Sequence, residues 1–187
     1  MTRGPQRLEV VESDPGWPQQ FRDISSYFQP FLEPDVLRIE NVGSTSVPGL
    51  AAKPIIDIDV VVESDQLIGP TIPLIESAGY SWVGDLGVAG REAFDAPPDS
   101  TFARHHLYLV VENNRAHSDH WLLREALLRD PGASDAYARV KRDNVDLCQG
   151  DMDRYVALKA RFVADLLARA RIERGMEPVA YWDPELD

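Results

Sequence analysis

Two aspartates two residues apart carry the most chemical information in this chain. Asp57 and Asp59 lie in the run from Pro54 to Val62, Pro-Ile-Ile-Asp-Ile-Asp-Val-Val-Val, a β-branched stretch of the kind that forms a buried central strand. On a strand, residues i and i+2 face the same way, so the two carboxylates converge. At that distance they raise each other's pKa unless a cation compensates, and a hard divalent ion with oxygen ligands does so directly. Mg²⁺, or Mn²⁺ in its place, is the expected occupant. The alternative is an edge strand whose two acids simply face water.

Upstream, Gly43-Ser44-Thr45-Ser46 follows a strand expected over Val36–Val42. Glycine lets a backbone approach a ligand closely, and the Ser44 hydroxyl with the successive amides through Thr45 and Ser46 can meet phosphate oxygens. A turn with a capping serine would read the same way. Lys53 is placed to neutralise a triphosphate or the carboxylates, or to stand in solvent. Four histidines fall between His105 and His120. His117 and His120 are helix neighbours, and with His106 they could compose a three-histidine transition-metal site; otherwise they are a solvent-facing pair at a helix start plus a hydrogen-bonded strand histidine. Arg91 in a glycine-rich loop, Arg124 and Glu125 on a later helix, and Lys159 four residues after Tyr155 complete the candidate ligands. Glu125 and Arg129 also suit an ordinary i, i+4 pair, and Cys148, without a histidine partner, reads as an idle thiol.

The elements that must position these groups follow from periodicity. Leu8, Val10 and Val11 suggest a short strand. Trp17, Phe21, Ile24 and Phe28 share one helical face until Pro30 and Pro34 interrupt. A helix broken by Pro70 and Pro73 is expected over Ser64–Ser77, a strand over Tyr80–Val83, a hairpin or long loop over Gly84–Ser100, and a strand over His106–Val111. Three helices follow: one from about His117 to Asp130-Pro131, one from about Ser134, and one marked by Tyr155, Leu158, Phe162, Leu166 and Ala170 that closes at Gly175. The expected architecture is an α+β (mixed α/β) domain over residues 1–175. It has a small mixed β-sheet flanked by helices and a helical C-terminal third, and residues 176–187 form an acidic tail that Tyr181 and Trp182 could dock.

Composition narrows the function classes. The 187 residues carry 19 Lys and Arg against 31 Asp and Glu, a formal charge of −12, with no basic cluster to gather a polyanion. Nucleic acid and membrane partners are therefore not expected. No secretory leader or long apolar run is seen, and one cysteine allows no internal disulfide, so a reduced cytoplasm is expected. The phosphate-loop and dinucleotide glycine fingerprints are absent.

Val42-Gly43-Ser44, then twelve residues, then Asp57-Ile58-Asp59-Val60 resembles the signature of the nucleotidyltransferase superfamily with the DNA polymerase β-like fold. The longer string from Gly43 to Ile58, with Trp17, Phe21, Arg104-His105-His106-Leu107, Leu123-Arg124-Glu125, Tyr137, Lys141, Tyr155 and Lys159, more specifically resembles the GrpB family over roughly Leu8–Arg171. The resemblance implies that Gly43 and Ser44 hold the phosphates of an NTP. Asp57 and Asp59 would coordinate Mg²⁺ and promote transfer of a nucleotidyl group to a small-molecule or protein acceptor, with release of pyrophosphate. His106, Tyr108, Arg124, Lys159 and Arg91 would be substrate contacts. Tyr108 stands where the family pattern commonly has a second histidine, and Asn41 where many relatives have one. The superfamily usually supplies a third carboxylate from a later strand; none lies in His106–Val111, which leaves Glu92, Asp95 and Glu112 as candidates. Without one, the chain would be a catalytically silent nucleotide-binding or protein-interaction module on the same fold.

Overall fold

The computed structural model describes residues 8–177, apart from 33 and 35, together with 179 and 180. Its elements are α1 (Trp17–Leu32), β1 (Arg38–Val42), β2 (Ile56–Val62), α2 (Ile68–Ser77), β3 (Ser81–Gly84), β4 (Arg91–Asp95), β5 (His105–Val111), α3 (Arg115–Arg129), α4 (Pro131–Cys148) and α5 (Met152–Glu173). Short 3₁₀ turns at Ser44–Ser46 and Asp65–Leu67 link them. The five strands form one sheet in the order β1-β2-β5-β4-β3. Only β2 and β5 pair in parallel; the other neighbours are antiparallel.

The alternation in β2 divides the molecule. Ile56, Ile58, Val60 and Val62 join Leu107, Leu109 and Val111 on one face, where Trp17, Ile24, Phe28 and Leu32 of α1 and Ile75 of α2 cover them. Asp57, Asp59 and Val61 consequently face the other way, toward the side where α3 contacts β1 and β5. A second cluster joins Val47, Leu50 and Ala51, between β1 and β2, to Leu127, Tyr137 and Leu166 of the three C-terminal helices. Those helices start at side-chain caps: Asn114, Asp130 and Asp151 accept from the amides of His117, Ala133 and Arg154 at 2.9, 3.1 and 3.0 Å.

Four local expectations change. Leu8–Val11 is not a strand, for only Val11 makes an isolated bridge, with Ala52. Pro30 does not end α1, which runs on to Leu32, a buried member of the core cluster beside Phe28. The Gly84–Ser100 segment is the hairpin alternative, so Arg91 lies on β4 rather than in a loop. The helix expected from about Ser134 begins at Pro131, in the first turn where proline is tolerated. Of the expected tail, only 176, 177, 179 and 180 are described; Met176 packs beside Leu122 and Leu167, and Arg115 donates to the Ala180 carbonyl at 2.7 Å. Tyr181 and Trp182 lie outside the described residues. Among the described residues no helix is long and apolar enough to cross a membrane.

Candidate functional site

The strand neighbours of β2 decide what surrounds its two acids. Antiparallel β1 places Val42 opposite Asp57 and Glu40 opposite Asp59. Parallel β5 places His106 beside Asp57 and Tyr108 beside Asp59, so the expected juxtaposition of these four residues is present. His106 Nδ1 donates to Asp57 Oδ1 at 2.9 Å. From α3, His120 Nδ1 lies 2.9 and 3.0 Å from the two oxygens of Asp59, a carboxylate with no solvent exposure. Burial works against both charges of these pairs, but the carboxylate bonds prevail: the His120 imidazole is raised above the ordinary range by Asp59, then Asp57. Burial would likewise raise Asp57, yet the His106 bond, with Lys159 and His120 nearby, holds it below the usual carboxylate range.

Gly43 turns the chain against Asp57. Its φ of 71° is in the left-handed region, and a Cβ built there would lie 2.9 Å from Asp57 Cγ. Only glycine fits on both counts. The Thr45 hydroxyl donates to the Ile55 carbonyl at 3.2 Å and the Ser46 hydroxyl to the Gly43 carbonyl at 2.7 Å. These two hydroxyl protons are used in holding the turn, so what the turn offers a ligand is the Ser44 hydroxyl and its backbone.

Cations gather on the same carboxylate from the helical side. Lys53 and Lys159 lie 5.2 and 5.6 Å from the Tyr155 ring centroid, and Lys141 lies 4.4 Å from that of Tyr137. Burial and the nearby Lys159 push Lys53 down to about 8, against the pull of Asp57. Burial, then Lys159 and Arg142, push Lys141 down to about 7. Lys141 is only 2% exposed, and among the described residues its Nζ has no hydrogen-bond partner. A buried ammonium among like charges is costly without an anion, so this cluster suits a polyanionic ligand. The readable signal for Lys141 is its position beside Tyr137 and Ala138 on the apolar stripe of α4, where a lysine has no packing reason to stand.

The other candidates separate. His117 is buried rather than solvent-facing: Nδ1 accepts the Asn113 amide at 3.0 Å, leaving Nε2 to donate to Glu40 at 2.9 Å. His105 belongs to the opposite face, bonded to the Tyr80 hydroxyl at 2.6 Å and the Ala103 carbonyl at 2.7 Å. His106, His117 and His120 each spend a nitrogen on a different carboxylate, and among the described residues no three His, Cys, Asp or Glu side chains group as a metal cage. Arg91 lies over the Tyr108 ring at 4.4 Å, and burial, then Asp57, pushes that phenol up to about 12. Arg124 pairs with Glu125 at 3.0 Å and lines a cavity beyond the Gly43 turn. Cys148 is buried, its thiol donating to the Val145 carbonyl at 3.2 Å.

No candidate third carboxylate joins the pair. Glu92 accepts from the Trp82 indole at 2.8 Å on the other sheet face, Asp95 is exposed at the far strand end, and Glu112 binds Arg38 at 2.7 Å. The acid nearest in register is Glu40, held by Arg38 at 2.8 Å and by His117. Alternation along Arg38-Ile39-Glu40-Asn41-Val42 would have put Glu40 on the Asp59 face had the antiparallel return been known.

The family model described as GrpB protein matches residues 7–169. UPF0157 protein PA4798 of Pseudomonas aeruginosa is 33% identical over 88% of this chain and 68% of its own length. The chain spans about half the length of other curated relatives it matches, one of them a dephospho-CoA kinase of Mycolicibacterium paratuberculosis, 31% identical over 91% of this chain and 47% of its own length. Among solved structures, the conserved protein GrpB from Enterococcus faecalis superposes with a TM-score of 0.78 at 28% identity, covering 89% of this chain and 99% of that one. The GLD-2/RNP-8 complex shares the fold alone, with a TM-score of 0.56 at 14% identity over 92% of this chain and 64% of that one.

Proposed function

The chain belongs to the GrpB family and has a nucleotidyltransferase-like fold, and from that premise we propose that it binds an NTP at Asp57 and Asp59 and transfers its nucleotidyl group. The observation that carries this reading is the convergence on Asp57 of three independent elements: the Gly43 turn, the β5 histidine and the lysines of the helical layer. Lys53, Lys141 and Lys159 would hold the triphosphate, and the backbone after Gly43 would lie against it. Asp57 and Asp59 would hold Mg²⁺ jointly with substrate phosphates. Asp57, partly exposed, offers an oxygen to that ion as it stands, whereas Asp59, enclosed and bonded through both oxygens to His120, would join by exchanging that bond for the ion; Mg²⁺ takes few protein oxygens and completes its shell with phosphate and water. When bound, it neutralises charge on the reacting phosphate and the departing pyrophosphate.

In the transfer, an acceptor oxygen or nitrogen forms a bond to the α-phosphorus as the bond to the β-phosphate bridging oxygen breaks, and pyrophosphate leaves. His106, with Nδ1 committed to Asp57, presents Nε2 to take the acceptor's proton. Arg91 and Tyr108 would border the nucleotide. The acceptor would be a small molecule or protein rather than nucleic acid, a reading the charge of −12 supports, and the reaction would run in the cytoplasm. A second reading, a silent nucleotide-binding module, is favoured by one observation: the β5 positions beside Asp57 and Asp59 carry His106 and Tyr108, not an acid.

Calorimetric titration of ATP, GTP, CTP and UTP with and without Mg²⁺, alongside pyrophosphate release, separates the two. Metal-enhanced binding lost in Asp57→Asn, with release of pyrophosphate when an acceptor is supplied, is the expected result. Binding indifferent to Mg²⁺ and to Asp57→Asn would replace transfer with the silent module.

A further inference from the structure

A cavity of about 710 Å³ opens beyond the edge strand β1, between the start of α1, the residues after Gly43, and α3. That volume is in the range of pockets for small organic ligands. None of Asp57, Asp59, Lys53, Lys141 and Lys159 lines it, so it lies beside the triphosphate cluster and shares with it only the turn after Gly43, through Thr45 and Ser46. Its apolar walls are Trp17, Phe21 and Trp121. Trp121 is held in place by the Arg174 guanidinium, 4.4 Å from its ring centroid. Such walls accept a flat ring.

The polar lining is unequally satisfied. Its two acids are committed: Asp14 accepts the Gly16 amide at 2.7 Å, and Glu40 is held by Arg38 and His117. Among the described residues, the Arg22 guanidinium donates to the neutral Gln19 side chain alone, at 3.1 and 2.6 Å. Arg124 meets Glu125 through Nη1, but among the described residues its buried Nε has no hydrogen-bond partner, and neither does the buried Oδ1 of Asn41, which also lines the cavity. Two guanidinium groups with bonding capacity in reserve beside aromatic walls select an anionic ring compound.

We propose that this cavity is a second small-molecule site, taking a planar ring that carries a carboxylate, phosphate or sulfonate group, and that its natural occupant is the acceptor. The acceptor assignment rests on the nucleotidyl-transfer reading; the site itself does not. Position supports it: the lining includes Glu40 and Val42, the β1 partners of Asp59 and Asp57, so one strand spacing, about 4.8 Å, separates the cavity wall from the carboxylates. In-line attack needs the nucleophile to enter away from the leaving pyrophosphate, and no residue of α4 or α5, which bear Lys141 and Lys159, lines the cavity.

The test uses 8-anilinonaphthalene-1-sulfonate, an anionic ring probe, and the uncharged N-phenyl-1-naphthylamine of similar shape, with energy transfer from tryptophan as the readout. Saturable one-site binding of the sulfonate is expected, weakened about tenfold by Arg22→Gln and by Arg124→Gln. The uncharged probe should bind about tenfold more weakly than the sulfonate. Asp57→Asn and saturating ATP should leave sulfonate binding unchanged. Equal affinities in wild type and both arginine variants, or for both probes, would overturn the site; Arg22→Gln, on an exposed helical surface, guards against a misfolding artefact. Competition by ATP would overturn the acceptor assignment by making the cavity part of the nucleotide site. Arginine-dependent sulfonate binding in a protein that binds no NTP would retain the site and remove the transfer reading.

Discussion

His106 and Asp57 are direct partners across the parallel strands β5 and β2, joined by a 2.9 Å bond from Nδ1 to Oδ1. Two strand positions on, His120 bonds Asp59 from α3. Each carboxylate is thereby fixed in orientation by an imidazole, with the sheet supplying one donor and the helical layer the other. Asp57, bonded through Oδ1 alone and partly exposed, keeps its second oxygen for whatever occupies the face, while Asp59 is enclosed behind His120.

The two aspartates should respond differently to amidation. Asp59→Asn removes the charged acceptor from a bond with no solvent access and is expected to cost about 1.5–3 kcal/mol of unfolding free energy in urea. Asp57→Asn, on the partly open side, should cost less stability and abolish Mg²⁺-dependent ATP binding. Equal stability losses with undiminished binding would contradict the placement of the nucleotide at Asp57.

Gly43→Ala tests the turn. The backbone at φ 71° and ψ −169°, a region open essentially to glycine alone, is expected to cost about 1–3 kcal/mol, and the added methyl must also displace the Asp57 carboxylate. Urea denaturation should show a loss above that range, accompanied by loss of ATP binding in calorimetry. A variant with wild-type stability would mean that the turn relaxes away from Asp57.

Much of this arrangement follows from local pattern, and the exceptions have physical causes. The period of two in Ile56–Val62 predicts that Asp57 and Asp59 share a face, and the Asp130-Pro131 boundary between α3 and α4 is a local capping signal. Register is not local: that Glu40 faces Asp59 depends on how the chain returns after Gly43. Arg91 is hidden for another reason, since glycines on one side and paired prolines on the other disguise a five-residue hairpin strand that the sheet takes up between β5 and β3. Thr45 and Ser46 show that a hydroxyl beside a glycine turn can serve the backbone as readily as a ligand.

Glu40 gives the fold an acid-side pH dependence. Its bond from His117, opposed by burial and joined by Arg38, lowers its pKa from 4.5 to about 2. The folded state therefore binds this proton less readily than the unfolded chain. The associated stabilisation, about 2–3 kcal/mol, is fully present above pH 4.5 and is lost as pH falls toward 2. Glu40→Gln should lower stability at pH 6 and flatten the dependence between pH 4.5 and 2, read from urea midpoints at half-unit steps. An unchanged slope in the variant would assign the acid sensitivity to other carboxylates.

Lys141 should show the opposite behaviour, with function opposed to stability. Burial lowers its pKa from 10.5 to about 7, so the folded state carries a penalty for the ammonium that is full below pH 7. As pH rises from 7 to 10.5 the folded lysine releases its proton before the unfolded one does, and the penalty shrinks. Lys141→Met, which keeps an unbranched apolar chain over Tyr137, is expected to raise unfolding free energy by about 1–3 kcal/mol at pH 7. Its advantage over wild type should diminish above that pH. A triphosphate supplies the counter-charge that the apo site lacks, so the same variant should weaken ATP binding about tenfold or more. Loss of stability together with unaltered ATP affinity would show that Lys141 is a packing residue; gain of stability with loss of affinity is the signature of a cation held in the core for an anionic ligand.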